Sequence, residues 1–121
     1  MNSISLTGYL GKNPQITFFP DSGNSEAVLT VSTRRPGRSG TTDWHTVVVQ
    51  ASDTVKNLIE PYAKVGTLVS LVGDLGYEQF EKENQKVRVA KIFVRHGSNF
   101  MMPKTHGEKR SESDEQAPNS D

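Results

Sequence analysis

The residue with the clearest potential for binding chemistry is Trp44, the only tryptophan in the chain. It leads into three consecutive valines, residues 47–49, which are strong β formers. Side chains alternate across a strand, so Trp44 and Val48 share one face while His45 and Val47 share the other. The second face is the more apolar, and we therefore expect Trp44 on the outward one. It either covers a barrel rim or a subunit contact, or it is a stacking platform for a planar ligand such as a nucleic-acid base.

Three arginines stand just before this strand, in a loop rich in glycine that spans residues 34–40. A guanidinium group can stack on a planar ring through its face and pair with phosphate through its edge. A run of charge can also be no more than a solvated surface. We interpret these three residues as ligand contacts: Arg34, Arg35 and Arg38.

Other chemistries find little support in the residue types. The chain has no cysteine, which excludes disulfides, thiolate metal sites and cysteine nucleophiles. Its three histidines lack metal-site spacing, and no phosphate-binding glycine loop or Gly-x-Ser-x-Gly motif occurs. Four aspartates lie at predicted turns, caps or strand boundaries, where structural roles are usual: Asp21, Asp43, Asp53 and Asp74. We expect no catalytic residue, no metal and no cofactor.

The elements that position these residues are mostly strands. Alternating apolar residues predict strands over residues 3–10, 15–19, 27–32, 43–49, 67–75 and 87–94. Residues 77–86 read as a long polar hairpin connection. Ser52, Asp53 and Thr54 are typical of a helix N-cap, and Val55 begins a helical pattern that Gly66 ends. With no alternation of strand and helix, the pattern predicts an all-β chain: a five-stranded OB-fold barrel with one short helix.

Charge divides the chain into two parts although its formal net charge is zero. Residues 1–97 carry 11 Lys and Arg against 9 Asp and Glu, whereas residues 98–121 carry 3 against 5. The second part is polar and aperiodic, so we predict one domain over residues 1–97 and a disordered, acidic tail over residues 98–121. No signal peptide or bilayer-spanning apolar run is evident. We therefore expect a cytoplasmic, nucleoid-associated protein with no membrane partner.

Three motifs in one uninterrupted order resemble the bacterial-type single-stranded DNA-binding protein family, over about residues 3–96. The first is LTGYLGKNP at residues 6–14, which is similar to the family's opening strand and turn. The second is DWHTVVV at residues 43–49, which resembles its Trp-His strand. The third is YAKVG at residues 62–66 followed by VSLVGDL at residues 69–75, which resembles a helix end and the next strand.

The resemblance implies further binding residues. Phe80 lies near the predicted hairpin tip, where the family places a second stacking aromatic. Tyr77 is a nearby alternative that shares parity with Leu75 and could simply pack. Tyr62 matches a family aromatic, or it is a contact between helix and barrel. Arg88 and Lys91 are an odd number of positions apart on one strand and cannot face the same side of it. The weaker cationic candidates are Lys64, Arg88, Lys91 and Lys12.

Two departures from the family pattern are informative. No aromatic residue stands in the loop at residues 35–37, and Gln50 replaces an aromatic that often completes the tryptophan strand. The family's acidic tail ends in apolar residues that recruit replication and repair enzymes. This chain ends in Asn119, Ser120 and Asp121. The acidity remains without an apolar anchor, which favours an accessory, plasmid- or phage-type member.

The sequence therefore predicts sequence-independent binding and protection of single-stranded DNA in replication, recombination or repair. The resemblance implies self-association as a homotetramer or homodimer, through dimers joined along the first strands. Replication or repair enzymes are further expected partners through the acidic tail. The alternative is an OB-fold protein-interaction module, such as a primosome or conjugation accessory factor. A small OB-type nuclease is the third possibility.

Overall fold

A computed structural model of the chain describes residues 1–37 and 40–103. Seven strands account for most of these residues. They are β1 (Ile4–Leu10), β2 (Gln15–Phe19), β3 (Asn24–Arg34), β4 (Thr42–Val49), β5 (Leu68–Lys82), β6 (Gln85–Val94) and β7 (Phe100–Met101). A helical segment, residues 52–62, connects β4 to β5.

Five of these strands close into a ring. β1 pairs with β3, β3 with β4, β4 with β6, β6 with β5, and β5 with β1 again. Every pairing in the ring is antiparallel except that between β4 and β6. Strands β2 and β7 attach to the outside of this ring, beside β3 and β5 respectively. A five-stranded closed ring with one helix before its fourth strand is the OB plan, and the predicted fold class is confirmed.

The core follows from the alternation that predicted the strands. On β3 the residues Ala27, Leu29 and Val31 are fully buried, while the residues between them face outward. Opposite them, Val47 and Val49 of β4 are also fully buried. The period of two thus fixes which face of each strand is sealed inside the barrel and which is left to solvent.

The helical segment differs in detail from the expectation. It begins with α1 (Ser52–Thr54), widens into a π-type turn (Val55–Ile59) and ends with α2 (Glu60–Tyr62). The predicted N-cap is wrong: Ala51 occupies that position, and the Ser52 hydroxyl instead accepts a hydrogen bond of 2.9 Å from the Ser25 N–H. The segment ends at Tyr62, before Gly66, directly after a proline that cannot donate a helical hydrogen bond.

Two further segments are more ordered than their composition suggests. The polar hairpin connection of residues 77–86 is almost entirely strand, and only Glu83 and Asn84 turn. Both have positive φ, as in tight two-residue hairpin turns. The packed chain also continues beyond residue 97, because the Phe100 side chain is only 4% exposed and belongs to the core. The remainder of the predicted tail, residues 104–121, lies outside the described residues.

Candidate nucleic-acid interface

Trp44 faces outward from the barrel, as the strand parity predicted. It is 60% exposed, although its strand lies inside the sheet, paired with β3 along its whole length and with β6 at Val47–Val49. Its ring lies against Gly11, just after the end of β1. A Cβ at position 11 would come within 2.3 Å of Trp44 Cζ3, so the contact exists only because glycine has no side chain. The ring is thus supported by backbone while most of its surface stays open to solvent.

The two arginines beside Trp44 have different environments. Arg34 pairs with Thr42 across the sheet, and Ser32 pairs with Trp44, so Arg34 lies diagonally next to the tryptophan on the same outward face. Arg35 is one residue further and therefore points the other way. Its guanidinium donates two hydrogen bonds to the carboxylate of Asp43, from Nη2 to Oδ1 at 2.6 Å and from Nε to Oδ2 at 3.2 Å.

This ion pair changes the charge that the loop presents. The hydrogen bond from Arg35 holds the pKa of Asp43 below its ordinary value, so the pair is fully ionised at neutral pH. Its two charges compensate each other. Arg34 forms no ion pair with any residue in the described part of the chain. The predicted contact Arg38 lies outside the described residues.

The other candidates at this end of the barrel gather around the turn that follows β1. Lys12 is exposed and comes directly after the glycine beneath Trp44. Asn13 accepts a hydrogen bond of 2.7 Å from the Val65 N–H, which ties this turn to the loop that contains Lys64. Tyr62, two residues before Lys64, is half-buried at the end of α2.

The β5–β6 hairpin extends from the barrel as a two-stranded ribbon, and its candidates divide between two faces. Phe80 is opposite Val87 and lies six residues after Asp74, which is opposite Phe93. This parity places Phe80 on the same outward face as Trp44. Tyr77 differs by three positions and lies on the other face. Both side chains are well exposed, at 48% for Phe80 and 57% for Tyr77.

The cations of the ribbon are separated in the same way, as their parity predicted. The Arg88 guanidinium lies 4.8 Å from the centre of the Tyr77 ring, on the face away from Phe80. Lys91 lies on the Phe80 face and donates to the Glu78 carboxylate. The outward face of the ribbon therefore offers an aromatic ring with a compensated lysine beside it.

One cluster on the same outward face was missed by sequence reasoning. Arg95 donates to Asp74 Oδ1 and Oδ2 at 2.9 Å each and to Gln50 Oε1 at 3.0 Å. Its guanidinium carbon lies 5.3 Å from the centre of the Phe93 ring. These four residues are spread over 46 positions of the chain, and no local pattern joins them.

A second missed feature is an aromatic pair on β2. Phe18 and Phe19 are both exposed, and Lys56 of the helical segment lies over Phe18 at 5.8 Å from the ring centre. This cation is itself fixed, because its ammonium donates to the Gly23 carbonyl oxygen at 2.6 Å. Two adjacent apolar residues on a short strand face opposite sides, so at least one of them should be exposed, and this was the signal in the sequence.

His45 is half-buried on the more apolar face of β4, with Nε2 at 2.8 Å from the Thr33 hydroxyl. Within residues 1–37 and 40–103, no group of three or more His, Cys, Asp or Glu side chains could hold a metal ion. In the same residues no helix has the length and apolar character needed to cross a membrane.

The structure thus brings Trp44, Arg34 and Phe80 onto one outward face and puts Lys12 at its edge. It places Tyr77 and Arg88 on the reverse of the ribbon. Flat rings beside cations on an open surface can bind a planar, anionic polymer by stacking and by phosphate contacts.

Comparison with known proteins is consistent with this surface. Residues 1–101 match the model of the single-strand binding protein family. Single-stranded DNA-binding protein 2 of Nostoc sp. is 27% identical over 84 residues, or 69% of this chain and 64% of its own length. The chain therefore spans a little under two thirds of that relative. The single-stranded DNA-binding protein of Staphylococcus epidermidis is 29% identical over 106 residues, or 86% of this chain and 79% of its own.

Solved structures extend the likeness to three dimensions. A Plasmodium falciparum SSB in complex with ssDNA superposes with a TM-score of 0.70 at 25% identity, covering 85% of this chain and 93% of that one. A mitochondrial single-stranded DNA-binding protein from S. cerevisiae superposes with a TM-score of 0.62 at 19% identity, covering 83% and 92%. The yeast likeness shows a shared fold.

Proposed function

This chain belongs to the single-strand binding protein family, and from that premise we propose that it binds and protects single-stranded DNA without regard to sequence. The observation that carries the proposal is Trp44, an exposed ring on an interior strand of the barrel sheet. Every base has a flat face, so stacking on such a ring is tolerant of sequence. Relatives that carry this activity in their names add support.

The proposed path of the strand follows the outward face. Bases stack on Trp44 and, further along the ribbon, on Phe80. Arg34 pairs with phosphate beside Trp44, and Lys12 and Lys64 do so at the edge of the barrel. Asp43 compensates the charge of Arg35, which therefore contributes less to phosphate binding than Arg34 does. Tyr77 and Arg88 remain secondary candidates because they lie on the reverse face of the ribbon. Tyr62 is also secondary, because it is half-buried at the end of α2.

We further propose a non-enzymatic role in the cytoplasm, on DNA exposed during replication, recombination or repair. A chain without cysteine fits a reducing compartment. Recruitment of replication or repair enzymes through the acidic tail, and the accessory type that its polar end favours, stay predictions because residues 104–121 are not described.

Self-association is proposed along β1. Only Tyr9 and Leu10 of this strand pair with β3, so in the described part of the chain residues 4–8 pair with β5 alone and present one unpaired edge. An open strand edge is a template for a second chain. Joining several barrels would multiply affinity by raising the local concentration of binding sites. Size measured by light scattering tests this, with Thr7→Pro as the variant that blocks the edge.

Fluorescence titration with oligo-dT tests the main proposal. Trp44 is the only tryptophan, so stacking should quench the protein's emission directly. We expect quenching by the single strand, little response to duplex of the same length, and an affinity that falls steeply with salt. A chain that binds neither form would overturn the proposal and favour the interaction-module alternative. Metal-dependent loss of the oligonucleotide would instead indicate a nuclease.

A further inference from the structure

The cluster around Arg95 is built in layers on the outward face of the sheet. Phe93 is opposite Asp74 in β5 and opposite Val48 in β4, and its ring leans over Gly76. A Cβ at position 76 would come within 2.7 Å of Phe93 Cε2, so the glycine makes room for the ring. The Arg95 guanidinium lies over this ring, at 5.3 Å from its centre.

The guanidinium is fixed at its edges. Nε and Nη2 each donate to the Asp74 carboxylate at 2.9 Å, and Nη1 donates to Gln50 at 3.0 Å. Three of the five N–H groups thus have partners, which holds the plane of the group in one orientation. The side chain nevertheless stays 52% exposed. Because one face lies towards Phe93 and the edge formed by Nε and Nη2 lies against Asp74, the opposite face of the group is the one available to a planar ligand.

A flat cation with three of its N–H groups in use and one open face favours some ligands over others. It keeps only two N–H groups, one on Nη1 and one on Nη2, for phosphate oxygens, which approach guanidinium edges. It retains the capacity to stack on a planar ring, as arginine does on bases. Beside it a shallow groove of about 250 Å³, lined by Val72, Gly73, Phe93, His96 and Asn99 among others, leaves room for such a ring.

We infer that Phe93 and Arg95 form an additional base-stacking platform, at the far end of the outward face from Trp44. The inference rests on the proposed binding of single-stranded DNA. Trp44 and Gln50 are six residues apart on and just beyond β4, which is about 20 Å along an extended strand. A single-stranded DNA that covers the barrel with about 4–16 nucleotides reaches both ends of this face.

The test compares Arg95→Lys with Arg95→Ala by anisotropy of labelled oligo-dT of about 16 nucleotides. Lysine keeps the charge and can still pair with Asp74, but it has no planar face. We expect both variants to lose about fivefold in affinity, the lower end for one stacked base. The salt dependence should not change in Arg95→Lys, because the positive charge is retained.

Two results would overturn the inference. Full affinity in Arg95→Lys would show that the charge matters and the plane does not. Full affinity in Arg95→Ala would show that DNA does not contact the cluster. Thermal melting and the extent of Trp44 quenching at saturation report whether the fold and the other end of the face are intact. If Arg95→Ala does not fold, Arg95→Lys decides alone. A wild-type chain that fails to bind would contradict the proposed function itself.

Discussion

Trp44 and Phe80 lie on the same outward face of the sheet, but the backbone beneath them differs. Trp44 lies on a barrel strand that pairs with β3 along its whole length, and its ring lies against Gly11. Phe80 stands on a ribbon of two strands, where side chains on both faces are exposed. An aromatic ring held in place before binding loses less freedom when a base stacks on it. The barrel platform should therefore contribute more to affinity than the ribbon platform.

The two regions also differ in their cations. At the barrel, Arg34 has no ion-pair partner within the described residues, and Arg35 is compensated by Asp43. On the ribbon, Lys91 is compensated by Glu78, while Arg88 lies on the reverse face. Phosphate contacts should thus be concentrated near Trp44, and the ribbon should contribute mainly through its ring.

The largest expected effect is that of Trp44→Ala. Loss of a ring this exposed should leave the fold intact and weaken oligo-dT binding by about 3 kcal/mol, at the upper end for one stacked base. Anisotropy of a labelled oligonucleotide measures the change without needing tryptophan emission. Phe18→Ala is the matched control, since Phe18 is similarly exposed, at 57%, but lies on β2 beside the helical segment. Equal losses in both variants would contradict a platform centred on Trp44.

Gly11→Ala tests the contact between Gly11 and the Trp44 ring without removing the ring. The added methyl group must displace the Trp44 ring, since its Cβ would lie 2.3 Å from Cζ3. We expect a loss of affinity smaller than that of Trp44→Ala, together with a shift in the emission of the free protein. A variant with unchanged emission and unchanged affinity would show that the ring does not need Gly11.

Phe80→Ala should have an intermediate effect, about 1 kcal/mol, because the ribbon holds its ring less firmly. Tyr77→Ala provides the comparison, since Tyr77 is on the same strand and is similarly exposed but faces the other way. We expect it to cost less than Phe80→Ala in the same anisotropy assay. The reverse order would mean that DNA follows the Tyr77 and Arg88 face of the ribbon.

Asp43→Asn should have the smallest effect and the opposite sign. Removal of the carboxylate charge releases Arg35 for phosphate, so affinity at low salt should rise. For each additional phosphate that the protein neutralises, the dependence of log K on log salt should steepen by about 0.7. An unchanged slope would show that Arg35 does not reach the DNA even when it is released.

The ion pair of Arg35 and Asp43 should also make the stability of the fold depend on pH. The Arg35 hydrogen bond lowers the pKa of Asp43 in the folded state. The group therefore contributes stability above its unfolded pKa, and this contribution is lost as pH falls through the lower folded pKa. Thermal melting of the wild type and of Asp43→Asn should accordingly converge in acid. Solvent reaches both side chains, so we expect a small difference.

Much of this arrangement follows from local sequence. The alternation of apolar residues predicts the strands, the burial of Val47 and Val49, and the outward direction of Trp44, because a strand has a period of two. The same parity rule separates Arg88 from Lys91. Parity with Leu75 left Tyr77 open as a packing residue, and parity did not locate Phe80, because residues 77–86 read as a polar connection while their backbone is in fact strand.

Tertiary structure alone decided which charges are available and which rings are held in place. Parity puts Arg34 and Arg35 on opposite sides of the backbone, but only the paired hairpin shows that Arg35 meets Asp43 while Arg34 faces out beside Trp44. Arg95 finds its partners 45 and 21 positions away, at Gln50 and Asp74. Periodicity is a property of the local backbone, whereas ion pairs and ring contacts depend on which strands the closed barrel brings side by side.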